Sequence, residues 1–101
     1  MKKIILAASV MMLASGSAMA DLDLAKKSGC LACHGVDKKI VGPGWKEVAD
    51  KYKGDAGAKE NLIGKVKGGG KGTWGAAPMP PYSPRVSDEN IEKLVDFILT
   101  L

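Results

Sequence analysis

The stretch SGCLACHG, residues 28–35, contains both cysteines and the only histidine of this 101-residue chain. Two thiols and an imidazole within five positions are suited to a redox-active disulfide, to part of a zinc site, or to the covalent anchoring of a porphyrin. A structural disulfide beside a surface histidine is a fourth possibility. The choice among these sites depends on what the rest of the sequence provides.

The first twenty residues have the features of a secretory signal peptide. Lys2 and Lys3 precede the apolar run IILAASVMMLA (4–14), and AMA (18–20) supplies the small residues that a signal peptidase recognises. The apolar run is short for a membrane span, so an uncleaved anchor is the less favoured alternative and no stable membrane insertion is expected. We therefore predict a signal peptide at 1–20 and one exported domain at 21–101.

The charge of the exported chain is small. The full sequence has 15 basic and 11 acidic residues. Once Lys2 and Lys3 leave with the signal peptide, thirteen basic residues face eleven acidic ones, a net charge of +2. So weak a field argues against nucleic acid as a partner.

The size of the domain indicates that something besides side chains fills its core. A chain of about 80 residues seldom buries enough apolar surface to fold without disulfides, a metal or a cofactor. A disulfide across two intervening residues closes too short a loop to stabilise the fold much. The sequence therefore predicts a bound group of considerable size.

Periodicity predicts an all-α fold of four to five short helices. Helices are expected at 22–29, 45–52 and 58–67, and a last helix is expected to begin after an N-cap at Ser87. The apolar stripe of that last helix comprises Ile91, Leu94, Val95 and Ile98. The proline-rich segment AAPMPPYSP (76–84) fits neither a helix nor a central strand.

The surroundings of the CLACH motif (30–34) favour porphyrin attachment over its rivals. A structural zinc needs four ligands, and the chain has three Cys and His residues in total. A thioredoxin-like thiol–disulfide site belongs in a βαβ unit, and no strand precedes Cys30. Cys-x-x-Cys-His is the attachment signature of c-type haem, in which Cys30 and Cys33 bond the ring as thioethers and His34 ligates the iron.

An electron-carrying haem needs a second axial ligand, usually Met or His. His34 is the only histidine, and four of the five methionines lie in the predicted signal peptide. Met79 remains, in the segment PMPP (78–81), where neighbouring proline rings restrict the backbone. We therefore predict His34 and Met79 as the two metal ligands.

The exported chain resembles the short bacterial class I cytochromes c over essentially its whole length. The shared motifs, in the family's order, are CLACH (30–34), VGP (41–43), the glycine-rich run into Trp74 and Gly75, PMPP (78–81) and VSDEN (86–90). The resemblance implies the small cytochrome c fold, wrapped around one covalently bound haem c, and a location in the periplasm.

The resemblance also implies roles for three further residues. Pro43 matches the proline whose carbonyl accepts a hydrogen bond from the histidine ligand. Trp74 matches a tryptophan that binds a haem propionate, and Lys65 occupies a position where a basic residue often lies near a propionate. Two departures concern the ligand loop: Tyr82 stands where relatives often have asparagine, and about two extra residues precede the last helix.

The implied function is that of a monomeric electron carrier rather than an enzyme, with no catalytic residue. Its expected partners are periplasmic or membrane-bound redox proteins: a reductase or oxidase as acceptor and a quinol-oxidising complex as donor. Lys26, Lys27, Lys38 and Lys39 are predicted to form a weak docking rim near the haem edge. The alternatives are an open-site haem protein, either a gas sensor or a peroxidase, and a thiol–disulfide oxidoreductase if no haem is bound.

Overall fold

The computed structural model describes residues 19–101. The predicted signal peptide therefore lies, up to residue 18, outside the described residues. Within the described residues no helix is long and apolar enough to cross a membrane.

Residues 19–101 form four α-helices and one 3-10 turn joined by long loops, in agreement with the predicted helical fold. The first helix, α1, covers 19–27 within the described range. The remaining elements are the 3-10 turn Cys30–Ala32, α2 at Trp45–Lys51, α3 at Ala58–Gly68 and α4 at Asp88–Leu99. From residue 19 onward the chain forms no strand, only two isolated bridges that pair His34 with Lys39 and Gly70 with Met79.

The helix ends differ slightly from the predicted ones, for local reasons. The predicted helix at 22–29 stops at residue 27, because Gly29 adopts a left-handed conformation with φ of 86°. Helix α2 ends at Lys51, one residue early, and α3 extends one residue further, to Gly68. The predicted N-cap of α4 is present, since the Ser87 hydroxyl accepts a hydrogen bond from the Asn90 amide at 3.2 Å.

Helix α4 is the centre of the packing and contacts both α2 and α3. Ile91 and Val95 of its apolar stripe are fully buried. On the solvent side Lys59 of α3 reaches Glu92 at 2.9 Å and Asp96 at 3.2 Å. The hydrogen bonds to these carboxylates raise the pKa of Lys59. Apolar residues of α2, α3 and α4 that face away from these ion pairs border a cleft.

Candidate functional site

One cleft contains all seven residues that the sequence singles out. Its walls come from the CLACH segment, the VGP loop, α2, α3, the ligand loop and α4. The predicted site residues that line it are Cys30, Cys33, His34, Pro43, Lys65, Trp74 and Met79. Buried apolar side chains of three helices, such as Val48, Leu62 and Val95, complete the lining. The cleft is therefore an apolar space with a small number of nitrogen and sulfur groups facing it.

The orientation of His34 follows from one hydrogen bond. Its Nδ1 lies 2.8 Å from the carbonyl oxygen of Pro43. A carbonyl oxygen only accepts, so Nδ1 carries the proton and donates it. In the neutral ring Nε2 is then left with its lone pair free, which is the form that binds a metal ion. The Pro43 carbonyl thus selects the tautomer that a ligating histidine requires.

Two further residues confine the His34 ring. A Cβ atom added to Gly42 would lie 2.6 Å from Cε1 of His34, so only glycine allows the backbone this close. The Trp45 ring, which is 3% exposed, stacks on the imidazole with centroids 5.7 Å apart and an interplanar angle of 27°. Sequence reasoning missed both roles, although the position of Gly42 next to Pro43 is a signal that could have indicated one of them.

The two cysteines lie in a tight turn before the histidine. Gly29 introduces the 3-10 turn, and the His34 amide donates to the Cys30 carbonyl at 3.0 Å. Both thiols are free of disulfide bonding; Cys30 is buried and Cys33 is half-buried. Burial raises the pKa of the Cys30 thiol. Both cysteines and His34 therefore border the same cleft from a single turn of backbone.

The segment that carries Met79 is held by backbone pairing rather than by a helix. Gly70 and Met79 exchange two hydrogen bonds, with N···O distances of 3.0 and 2.7 Å. Gly69, at the end of α3, has φ of 72°, and a Cβ there would collide with the Met79 carbonyl oxygen. The glycine-rich run is thus the backbone partner of the ligand loop, a role that the sequence alone did not reveal.

Trp74 and Lys65 border the cleft and are both half-buried. The Lys51 ammonium lies 5.6 Å from the centroid of the Trp74 ring and 5.8 Å from that of Tyr52. This arrangement gives that part of the cleft a basic character. A carboxylate of a bound group would be electrostatically favoured there.

The donor groups and the lining fit a covalently attached haem. Two free thiols are close enough in sequence to bond one ring edge, and an imidazole nitrogen and a thioether sulfur border the same space. The remaining walls are mainly apolar, as a porphyrin requires, and the basic side chain of Lys65 in the lining suits its propionates. Each requirement is met by residues of this chain.

Comparison with known proteins finds bacterial cytochromes c. The cytochrome c family model matches residues 22–101. The chain is 54% identical over 85 residues to cytochrome c-551 of Allochromatium vinosum, covering 84% of this chain and 89% of that protein. It is 52% identical over 90 residues to cytochrome c-552 of Nitrosomonas europaea, covering 89% and 86% respectively.

Solved structures agree with these sequence matches. The crystal structure of wild-type Nitrosomonas europaea cytochrome c552 superposes with a TM-score of 0.75 at 51% identity, covering 78% of this chain and 96% of that one. The class 1 cytochrome MtoD from Sideroxydans lithotrophicus gives a TM-score of 0.71 at 40% identity, with coverages of 80% and 91%. The likeness thus covers at least 91% of each solved chain and about four fifths of this one.

Proposed function

This chain belongs to the cytochrome c family, and from that premise we propose which of its residues carry out the family's chemistry. It is a small electron-transfer protein with a covalently bound haem c. The bound haem supplies one-electron chemistry, in which its iron alternates between Fe(II) and Fe(III). The chain's own residues attach, orient and shield that group.

We assign to Cys30 and Cys33 the bonds that would attach the haem, and to His34 and Met79 the atoms that would ligate its iron. The observation that carries this assignment is the hydrogen bond from His34 Nδ1 to the Pro43 carbonyl. In the neutral ring that bond places the proton on Nδ1 and leaves the Nε2 lone pair free, in a cleft that Met79 also borders. A thioether ligand and apolar surroundings favour the reduced state, so a fairly high reduction potential is expected.

Three residues are proposed to adjust the site without ligating the metal. Pro43 keeps the imidazole in one tautomer and makes it a better ligand. Trp74 is proposed to bind a propionate through its indole N–H, and Lys65 to provide a positive charge nearby. Lys51, held over the Trp74 ring, adds to the same basic region.

We propose that the protein is not an enzyme. With both His34 and Met79 holding the iron, no position would remain on it for a substrate or gas. Peroxidase chemistry would also require a distal acid–base group, and the chain has no second histidine. The part played by the protein is then to hold both ligands in place in both oxidation states, which keeps rearrangement on electron transfer small.

The proposed setting is the bacterial periplasm, reached through a cleaved signal peptide at 1–20, with 21–101 as a monomeric domain. Redox proteins are the partners: a reductase or oxidase as acceptor and a quinol-oxidising complex as donor. Lys26, Lys38 and Lys39 are exposed, as a docking rim requires. Lys27 is also exposed, but an ion pair with Asp23 at 3.2 Å partly neutralises it. Any steering by this rim should therefore be weak.

The test is to replace Met79 by Ala in the haem-loaded protein and record absorption spectra of both oxidation states. We expect a low-spin wild-type haem whose oxidised form shows the weak methionine–iron charge-transfer band. Met79→Ala should lose that band, bind CO rapidly when reduced, and have a lower reduction potential. Met79→His is the matched control, because it lacks the band but restores a second ligand and excludes CO.

Rapid CO binding by the reduced wild-type protein would overturn the carrier assignment in favour of an open site. A charge-transfer band that persists in Met79→Ala would show that another residue is the sixth ligand. Purified protein without covalent haem would overturn the assignment of Cys30 and Cys33.

A further inference from the structure

The turn that follows the ligand loop contains a residue pair that the proposed haem attachment does not use. The guanidinium carbon of Arg85 lies 4.8 Å from the centroid of the Tyr82 ring. Tyr82 is 8% exposed and borders the cleft, whereas Arg85 is exposed. A guanidinium this close to an aromatic face is held by a cation–π interaction.

The backbone holds this pair in place from both ends of the turn. The Tyr82 amide donates to the Val66 carbonyl of α3 at 3.0 Å. The Val86 amide donates to the Tyr82 carbonyl at 2.8 Å, and the Val86 side chain is buried. The turn therefore places Tyr82 at the cleft and brings the Arg85 side chain back against the face of the Tyr82 ring.

The charge of Arg85 lies against a residue that borders the cleft. Among residues 19–101 no carboxylate forms an ion pair with it. Because the guanidinium lies against the Tyr82 ring and Tyr82 borders the cleft, this charge is next to one wall of the cleft.

We propose that Tyr82 holds Arg85 as a positive charge beside the cleft, and that this charge favours the reduced state of the bound haem. The inference rests on the proposed function. Reduction takes one electron from an external donor and lowers the net charge of the site by one, so a nearby cation stabilises the product. Arg85 thus acts on the redox equilibrium through its charge, and Tyr82 positions it.

The test is the reduction potential of haem-loaded Arg85→Gln, measured by spectroelectrochemistry. At a fixed applied potential we expect the ratio of reduced to oxidised protein to fall by about two- to ten-fold, the size of a partly screened unit charge. Arg85→Lys should retain most of the wild-type ratio. The matched control is Lys93→Gln, which removes the same charge from an exposed position of α4 outside the cleft.

A double-mutant cycle tests the role of the ring. If Tyr82 holds the cation in place, Arg85→Gln should lower the ratio less in a Tyr82→Leu background than in the wild type. Equal effects in both backgrounds would overturn the holding role, and equal shifts in Arg85→Gln and Lys93→Gln would overturn the electrostatic role.

The same samples separate this inference from the proposed function. A haem spectrum with the methionine band, together with equal shifts in both charge variants, contradicts only the role of Arg85. A spectrum without covalent haem or without that band contradicts the proposed function itself, and the inference falls with it.

Discussion

At the scale of single residues, His34 is a candidate ligand because of what surrounds it. The Pro43 carbonyl selects its tautomer, and the Trp45 ring stacks on one side of the imidazole. Gly42 packs against the ring where no larger residue fits. Three neighbours from a loop and a helix start therefore hold one side chain in one orientation, which is what a metal ligand needs.

We predict that Gly42→Ala disturbs this arrangement. The added Cβ would lie 2.6 Å from the imidazole, so the ring must move and the hydrogen bond to Pro43 must weaken. The haem-loaded variant should be less stable by about 1–3 kcal/mol in thermal or denaturant unfolding. Its Soret band should also shift, because the imidazole is reoriented.

The control for this substitution is Gly64→Ala in α3, where an added Cβ meets no atom within 4 Å. It should stabilise the helix by about 0.5–1 kcal/mol and leave the spectrum unchanged. A Gly42→Ala protein with wild-type stability and spectrum would contradict the role assigned to this glycine.

At the scale of elements, the end of α3 determines where the ligand loop runs. Gly69 ends the helix in a conformation that other residues avoid, and its neighbour Gly70 pairs with Met79. A Cβ on Gly69 would also lie 2.9 Å from the Pro80 carbonyl carbon. The loop can thus pack against this helix end only if a glycine is there.

We predict that Gly69→Ala loosens the ligand loop. The backbone conformation alone should cost about 1–3 kcal/mol, and the collision with the Met79 carbonyl should weaken the methionine–iron charge-transfer band. Unfolding curves and the intensity of that band against temperature measure the two effects. Both should change together, since one residue supports both the helix end and the loop.

Gly68→Ala is the adjacent control, because Gly68 lies inside α3 and an added Cβ meets nothing within 4 Å. It should unfold at the wild-type temperature or slightly above it and keep the full band. If the two alanine variants behave alike, the support of Met79 by Gly69 is disproved.

At the scale of the whole molecule, the helices pack on each other through α4 and leave a cleft bordered by their remaining apolar side chains. Val48, Leu62 and Val95 come from three different helices and all border this cleft. A domain of about 80 residues has a small apolar core, and a cleft through that core lowers its stability unless a bound group fills it. Haem is therefore expected to be part of the core.

We predict that the variant Cys30→Ala/Cys33→Ala, expressed without covalent haem, has little helix by circular dichroism and no cooperative unfolding transition. The single variant Cys33→Ala keeps one thioether bond and should show intermediate stability. Cooperative unfolding of the haem-free double variant at the wild-type temperature would refute the structural role of the haem.

Features that depend on neighbouring residues in the sequence were predicted more accurately than those that depend on contacts between distant segments. Helices α2 and α3 were predicted to within one residue at each end, because periodicity is a local property. Helix α1 was predicted to end two residues too late, because the left-handed conformation of Gly29 was not anticipated, and it already includes residues 19–21, before the predicted start at residue 22. The N-cap of α4 was predicted correctly from Ser87 and the acidic residues after it.

The sequence by itself determined the helical fold class and the family, together with the candidates for attachment and ligation. Adjacency and counting were enough for these: CLACH is contiguous, and Met79 is the one methionine outside the predicted signal peptide. Only the tertiary structure decided which neighbours orient those candidates. Gly70 pairs with Met79 and Arg85 lies over Tyr82 through contacts that depend on how the helices pack, and spacing along the chain does not encode such distances.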